Sequence, residues 1–126
     1  MSTVRDLMQR EVVTAAPETT VREVAHLLAD RGISGMPVAT PSGEVLGVVS
    51  SSDLVRLAAE RPLDQLAVSE IMTPVSFSVG PDCSVRDLAD FLVRGGIHRA
   101  MVLEDGRLLG IVTTMDVLAA LADGRL

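Results

Sequence analysis

Apolar residues recur at helical spacing over Val21, Val24, Ala25 and Leu28, and the same spacing returns over Val85, Leu88, Ala89 and Leu92. A stripe at i, i+3, i+4 and i+7 covers one face of an α-helix, so each set predicts an amphipathic helix with that face buried. Thr20 with Glu23 reads as a capping box at the first helix start, and Ser84 with Asp87 as a weaker one at the second. Gly32 and Gly95-Gly96 mark the helix ends. Short β-rich runs precede the helices, at Val12-Val13-Thr14 and at Ser76-Phe77-Ser78-Val79. After the first helix, Met36-Pro37-Val38-Ala39 and Val45-Leu46-Gly47-Val48-Val49 flank a Pro41-Ser42-Gly43 turn and predict a hairpin. Met101-Val102-Leu103, an Asp105-Gly106 turn and Leu108 to Val112 predict another. A further helix begins at Ser50 to Asp53 and runs to about Arg61, where Pro62 stops it; its counterpart begins near Thr113 and ends before Gly124.

These parallels are one internal repeat. Shifted by 64 positions, Val4 falls on Val68, Met8 on Met72, Pro17 on Pro81, Val21-Arg22 on Val85-Arg86, Gly32-Ile33 on Gly96-Ile97 and Val38 on Val102. One residue is lost in the hairpin turn, and at a shift of 63 Leu46-Gly47 falls on Leu109-Gly110 and Asp53 on Asp116. The unit is β-α-β-β-α, twice, giving an α+β chain with repeats at 1–62 and 63–126 joined around Pro62 to Ala67.

Composition narrows the function. At 126 residues and 48% hydrophobic, the chain can bury a core but cannot hold a multidomain enzyme. Eleven basic residues, all arginine, against seventeen acidic ones give a net charge of −6, which opposes nucleic-acid binding in the absence of a basic stripe. With only Phe77 and Phe91 aromatic, a planar ligand must rest on aliphatic side chains and backbone. Cys83 has no disulfide partner, and one cysteine with two distant histidines is no zinc site; it reads as a small residue before a helix. No apolar run is long enough to span a membrane, and the start Met1-Ser2-Thr3-Val4-Arg5-Asp6 lacks a signal-peptide profile, so a cytoplasmic protein is expected.

In order and in duplicate, the segments resemble tandem cystathionine-β-synthase-type (CBS) domains, the pair called a Bateman module. The resemblance rests on Asp6-Leu7-Met8 and Glu70-Ile71-Met72-Thr73-Pro74, on Ile33-Ser34-Gly35-Met36-Pro37-Val38 and Ile97-His98-Arg99-Ala100-Met101-Val102, and on Gly47 to Asp53 and Gly110 to Asp116. It implies a pseudo-twofold pair of CBS domains acting together as one module, two three-stranded sheets packed face to face with a cleft on either side, and often a homodimer. Such modules commonly bind adenosine-containing ligands in those clefts.

The residues supply a chemistry for such binding. A carboxylate accepts hydrogen bonds from both ribose hydroxyls, and a hydroxyl at a helix start can meet a phosphate, which casts Asp53 and Asp116 as ribose holders and Ser50 and Thr113 as phosphate contacts. The same residues also suit helix capping, the hydroxyl accepting from the third N–H of the helix. Capping does not account for His98-Arg99 at the head of the neighbouring strand, where a forked cation and an imidazole can neutralise phosphate. Surface ion pairing, worth at most about 1 kcal/mol, is the plainer reading of that pair. Repeat 1 carries Ser34-Gly35 there, so its cleft is expected to take adenosine but hold phosphate poorly, or to remain empty. Backbone groups of Thr14-Ala15 or Ser78-Val79 would meet the adenine edge, with Met36, Pro37, Ala100 or Met115 on its faces.

No nucleophile with an acid/base partner, metal cluster or Gly-x-Ser-x-Gly elbow appears, the run Ser50-Ser51-Ser52 included. The expectation is a regulatory module without catalysis or an obligatory cofactor, sensing AMP, ADP or ATP and acting in trans on a regulated protein. The alternative is a ligand-free dimerisation or docking module. A homodimer through helix faces such as Leu54, Leu57 and Ala58 is expected in either case.

Overall fold

The computed structural model describes residues 2–63, 65–75 and 77–126. Met1, Asp64 and Ser76, which fall in the opening, the joint and the second short predicted strand, lie outside the described residues. The elements in chain order are α1 (Val4–Leu7), α2 (Val21–Arg31), β1 (Gly35–Ala39), β2 (Val45–Ser50), α3 (Ser51–Glu60), a 3-10 turn (Val68–Glu70), β3 (Ser78–Val79), α4 (Val85–Gly95), β4 (Arg99–Glu104), β5 (Arg107–Thr113) and α5 (Thr114–Ala122). The longer helices and the strands follow the β-α-β-β-α order except that Val12-Val13-Thr14 is no strand, where only Ala15 makes a parallel bridge, to Val38; α1 and the 3-10 turn are additions at the repeat openings.

Packing gathers the chain into two compact units, Val13–Val75 and Met1–Val12 with Ser76–Leu126. These differ from the sequence repeats in a reciprocal way, because the opening segment of each repeat packs with the other repeat. In one unit Val4 N–H donates to Cys83 C=O at 2.8 Å and Arg5 N–H to Pro81 C=O at 2.9 Å. In the other Val68 N–H donates to Thr19 C=O at 2.7 Å and Ser69 N–H to Pro17 C=O at 3.1 Å, the same bonds moved by one repeat.

In the unit Val13–Val75, β1 and β2 form an antiparallel hairpin flanked by the Ala15↔Val38 and Val48↔Thr73 bridges. In the other unit β3 runs parallel to β4, β4 antiparallel to β5, and Gln9 bridges to Ile111 on the β5 edge. Both hairpins carry a register shift at the same place, between Val38 and Ala39 and between Val102 and Leu103. The one-residue difference between repeats falls in the turns: the second closes at Asp105-Gly106, both with positive φ, as a tight two-residue hairpin requires.

The side chains of Thr20 and Ser84 accept from the backbone N–H of Glu23 and Asp87, each at 3.1 Å, so the hydroxyl half of each predicted capping box forms. Gly32 and Gly96 close α2 and α4 in the left-handed conformation, at φ 63° and 61°. One core holds Val21, Val24, Leu28, Met36, Val38, Val49, Leu54 and Val68; the other holds Val4, Leu7, Met8, Val85, Leu88, Leu92, Val102 and Val112. Each fully buried Val or Leu stabilises by about 1.5–3 kcal/mol. Ala25 corrects the predicted stripe: it is exposed, and Leu27 packs against the core instead. Leu54 corrects the predicted interface face, being buried, with Leu57 half-buried and Ala58 exposed. Exposed large apolar residues include Val55 on α3, Val93 on α4, and Met115, Leu118 and Leu121 on α5. Among the described residues no helix is long and apolar enough to cross a membrane.

Candidate functional site

Within the unit containing 76–126, the hairpin register sets Arg99, at the head of β4, directly across from Thr113, at the end of β5. Thr113 is the N-cap of α5, so the strand pair delivers the arginine to the start of that helix. Its neighbour His98 is exposed, and the His98 carbonyl accepts from Thr114 N–H at 2.9 Å, tying the β4 entrance to the first turn of α5.

Thr113 and Asp116 form a reciprocal cap. Thr113 Oγ1 accepts from Asp116 N–H at 3.3 Å, while Asp116 Oδ2 accepts from Thr113 N–H at 2.9 Å and from the Thr113 hydroxyl at 3.2 Å. Asp116 Oδ1 accepts from Gln9 Nε2 at 3.2 Å. The carboxylate is half-buried, and the helix start favours its charge. Both oxygens therefore have donors within the protein. Capping is present in the geometry, and a ribose would have to share the carboxylate with it.

The unit Val13–Val75 builds the counterpart differently. Gly35 stands across from Ser50, which caps α3 by accepting from Asp53 N–H at 3.2 Å and lies 3.2 Å from the Ser52 hydroxyl. Ser34 C=O accepts from Ser51 N–H at 2.8 Å, repeating the His98 bond. Asp53 Oδ1 accepts from Arg56 at 2.9 Å, an ion pair one helical turn apart. A glycine replaces the arginine of the other unit at the strand head, and a Cβ there would stand 3.1 Å from the Val49 carbonyl oxygen.

The adenine-edge candidates lie on the opposite side of each hairpin's first strand. Ser78 pairs with Met101 and Val79 with Val102. Ala15 donates its N–H to Pro37 C=O at 3.0 Å and accepts from Ala39 N–H at 2.9 Å, so its N–H is committed to the sheet, while Thr14 is exposed. Of the face candidates, Met36, Pro37 and Ala100 are buried and Met115 is exposed.

Gln9 and Arg56 are the polar groups on the two aspartates that the sequence reading did not single out. Arg56 was legible as a cation three residues after Asp53 on a helix. Gln9 was not, because its contact with Asp116 depends on the exchange of opening segments. Cys83 is half-buried beside the opening segment; burial, then the nearby Asp87 charge, push its thiol above the ordinary range. Among the described residues no group of three or more His, Cys, Asp or Glu side chains is placed to hold a metal ion.

The profile of the CBS domain matches residues 4–60 and 68–123. The chain is 30% identical over 118 residues to the CBS domain-containing protein YhcV of Bacillus subtilis, covering 93% of this chain and 84% of that one. It spans 60% and 42% of the lengths of two other curated relatives. Among solved structures, it is similar to CBSX2 in complex with AMP, at TM-score 0.82 and 27% identity over 98% of each chain. It is also similar to the CBS domain of a bacterial CNNM/CorC family Mg2+ transporter in complex with ATP, at TM-score 0.80 and 28% identity, over 96% of this chain and 87% of that one.

Proposed function

The chain belongs to the CBS domain family, with two CBS domains in tandem, and from that premise we propose that it is a regulatory module binding an adenosine-containing ligand of the AMP, ADP or ATP type. The observation that carries this reading is the Arg99–Thr113 pairing at the start of α5, next to Asp116. Asp116 takes the ribose, Arg99 and His98 take the phosphate beside Thr113, whose N–H and hydroxyl stay on Asp116, the Ser78-Val79 backbone meets the adenine edge, and Ala100 and Met115 line its faces. The AMP and ATP complexes of similar CBS structures support the ligand class.

The second site is Thr14, Ala15, Gly35, Met36, Pro37, Ser50 and Asp53. With glycine opposite Ser50 and its nearby arginine paired to Asp53, it accepts adenosine and holds phosphate weakly. The protein is a metabolite or energy sensor, not a catalyst, in the cytoplasm, and its ligand changes how it regulates a target protein. It associates as a homodimer through the exposed α5 face, where Leu118 and Leu121 are 53% and 56% exposed.

The docking-only alternative is favoured by one observation, that both Asp116 oxygens already have protein donors, Oδ2 in the α5 cap and Oδ1 from Gln9. Absorbance separates the two. The chain has no Trp or Tyr, so it absorbs weakly at about 280 nm, and a copurified adenine nucleotide would dominate the spectrum near 260 nm. A peak there, lost on denaturation and filtration, supports nucleotide binding. Its absence, with no heat on titration of AMP, ADP or ATP, leaves the docking module.

A further inference from the structure

We propose that Gln9 is a ligand-selecting residue of the Asp116 site: its carboxamide holds one carboxylate oxygen and offers its own carbonyl oxygen to a ribose hydroxyl. The inference rests on the nucleotide-binding reading above and deepens it.

Gln9 is held in place by its backbone. Its N–H donates to Ile111 C=O at 2.8 Å and its C=O accepts from Ile111 N–H at 2.9 Å. Gly110 lets this segment approach the β5 edge, since a Cβ there would stand 2.5 Å from the Gln9 carbonyl oxygen. From that fixed position Nε2 donates to Asp116 Oδ1.

The hydrogen-bond count then gives Gln9 a role. A carboxylate offers roughly four lone-pair sites. Thr113 N–H and hydroxyl occupy two of those on Asp116 and Gln9 Nε2 a third. A ribose diol brings two donors, so the carboxylate can receive one hydroxyl and needs a second acceptor beside it. The Gln9 Oε1 atom, on the same planar amide whose nitrogen touches Asp116, is that acceptor. The other unit lacks the arrangement: Thr73, one repeat on from Gln9, turns its hydroxyl to Val48 C=O at 3.4 Å, and Asp53 is held by Arg56. Two-point reading of the diol therefore belongs to the Asp116 site.

The test compares AMP, 2′-deoxy-AMP and 3′-deoxy-AMP by calorimetry on the wild type, Gln9→Lys and Gln9→Arg, both of which keep a donor for Asp116 Oδ1 and remove the amide acceptor. In the wild type, loss of either hydroxyl is expected to weaken binding about tenfold. In both variants the discrimination against at least one deoxy analogue falls to about twofold. In 15N-labelled wild-type protein, the Gln9 side-chain amide resonance shifts with the same AMP dependence as the heat. An unchanged AMP to deoxy-AMP ratio in both variants overturns the role of Gln9 while leaving the binding site standing. So does uniform tightening for all three nucleotides, which would make the side chain a simple obstruction. A wild-type protein that binds none of the three overturns this proposal together with the reading it rests on.

Discussion

Gly110 lies so close beneath the carbonyl oxygen of Gln9 that a Cβ built on it would stand 2.5 Å away, with Met8 Sδ at 3.1 Å. One repeat earlier Gly47 meets Thr73 and Met72 in the same way, at 2.7 and 2.9 Å. In each case the obstacle is a backbone oxygen held in a sheet bridge, which cannot swing aside as a side chain would. Gly110→Ala is therefore expected to destabilise the protein by about 1–3 kcal/mol through overpacking. Gly47→Ala should do so by less, since its closest distance is longer. Urea denaturation checks the order, and faster exchange of the Ile111 amide proton in Gly110→Ala would locate the damage at the displaced opening segment.

Asp116→Asn separates ribose binding from capping. Loss of a charge-assisted hydrogen bond should weaken nucleotide binding by about 1–3 kcal/mol. The ligand-free protein should lose under about 1 kcal/mol, because asparagine keeps an acceptor for the Thr113 N–H. Calorimetry and thermal melting read the two effects separately. Unchanged affinity with a large drop in melting temperature would make the residue a cap only.

For Arg99→Ala the expected result is a change in preference. Affinity for AMP falls by about 1.5–3 kcal/mol, the scale of a hydrogen bond to a charged group, while affinity for adenosine is retained. Titrations with adenosine, AMP, ADP and ATP report the difference. Equal losses for adenosine and AMP would remove the phosphate role.

Association should depend on α5. Light scattering at tens of micromolar is expected to give a dimer of the 13.3 kDa chain, and Leu118→Arg, which places a charge on the exposed apolar face, to give a monomer. A wild-type monomer at that concentration would dispose of the dimer.

The thiol of Cys83 sets a pH dependence. Its pKa is raised by burial and then by Asp87, so folding favours the protonated form. The stabilisation is fully present below the ordinary thiol pKa and is lost as pH rises through the higher folded value. Stability should fall on the alkaline side, and Cys83→Ala should flatten that fall. A thiol-specific disulfide reagent should label the folded protein more slowly than the urea-unfolded chain; equal rates would contradict the raised pKa.

The parts of the fold legible in the sequence are those governed by neighbours along the chain. Ser50, Asp53 and Pro62 bracket α3 closely because caps and proline act within a turn of the helix they limit. The duplicated apolar spacing located α2 and α4, and start and stop residues located α3 and α5, for the same reason. Partnership over long sequence distances was hidden. Nothing local in Val12-Val13-Thr14 announces that Ala15 alone would find a strand, and nothing in Gln9 announces Asp116, more than a hundred residues later. Arg99 and Thr113 were recognisable as candidate chemistry, but their placement across one hairpin came from register, which a single shifted residue would have altered.

The exchange of opening segments also dictates an order of maturation during synthesis. The unit Val13–Val75 is one uninterrupted stretch, so its core can close once residue 75 has left the ribosome. Val4, Leu7 and Met8 emerge before it, yet the partners that bury them, Val85, Leu88, Leu92 and Val112, come last. At translation rates of roughly 5–20 residues per second, the earliest apolar residues wait several seconds for their core. Val4, Leu7 and Met8 are left exposed longest, and a chaperone that shields this segment would protect it until Val85 to Val112 arrive.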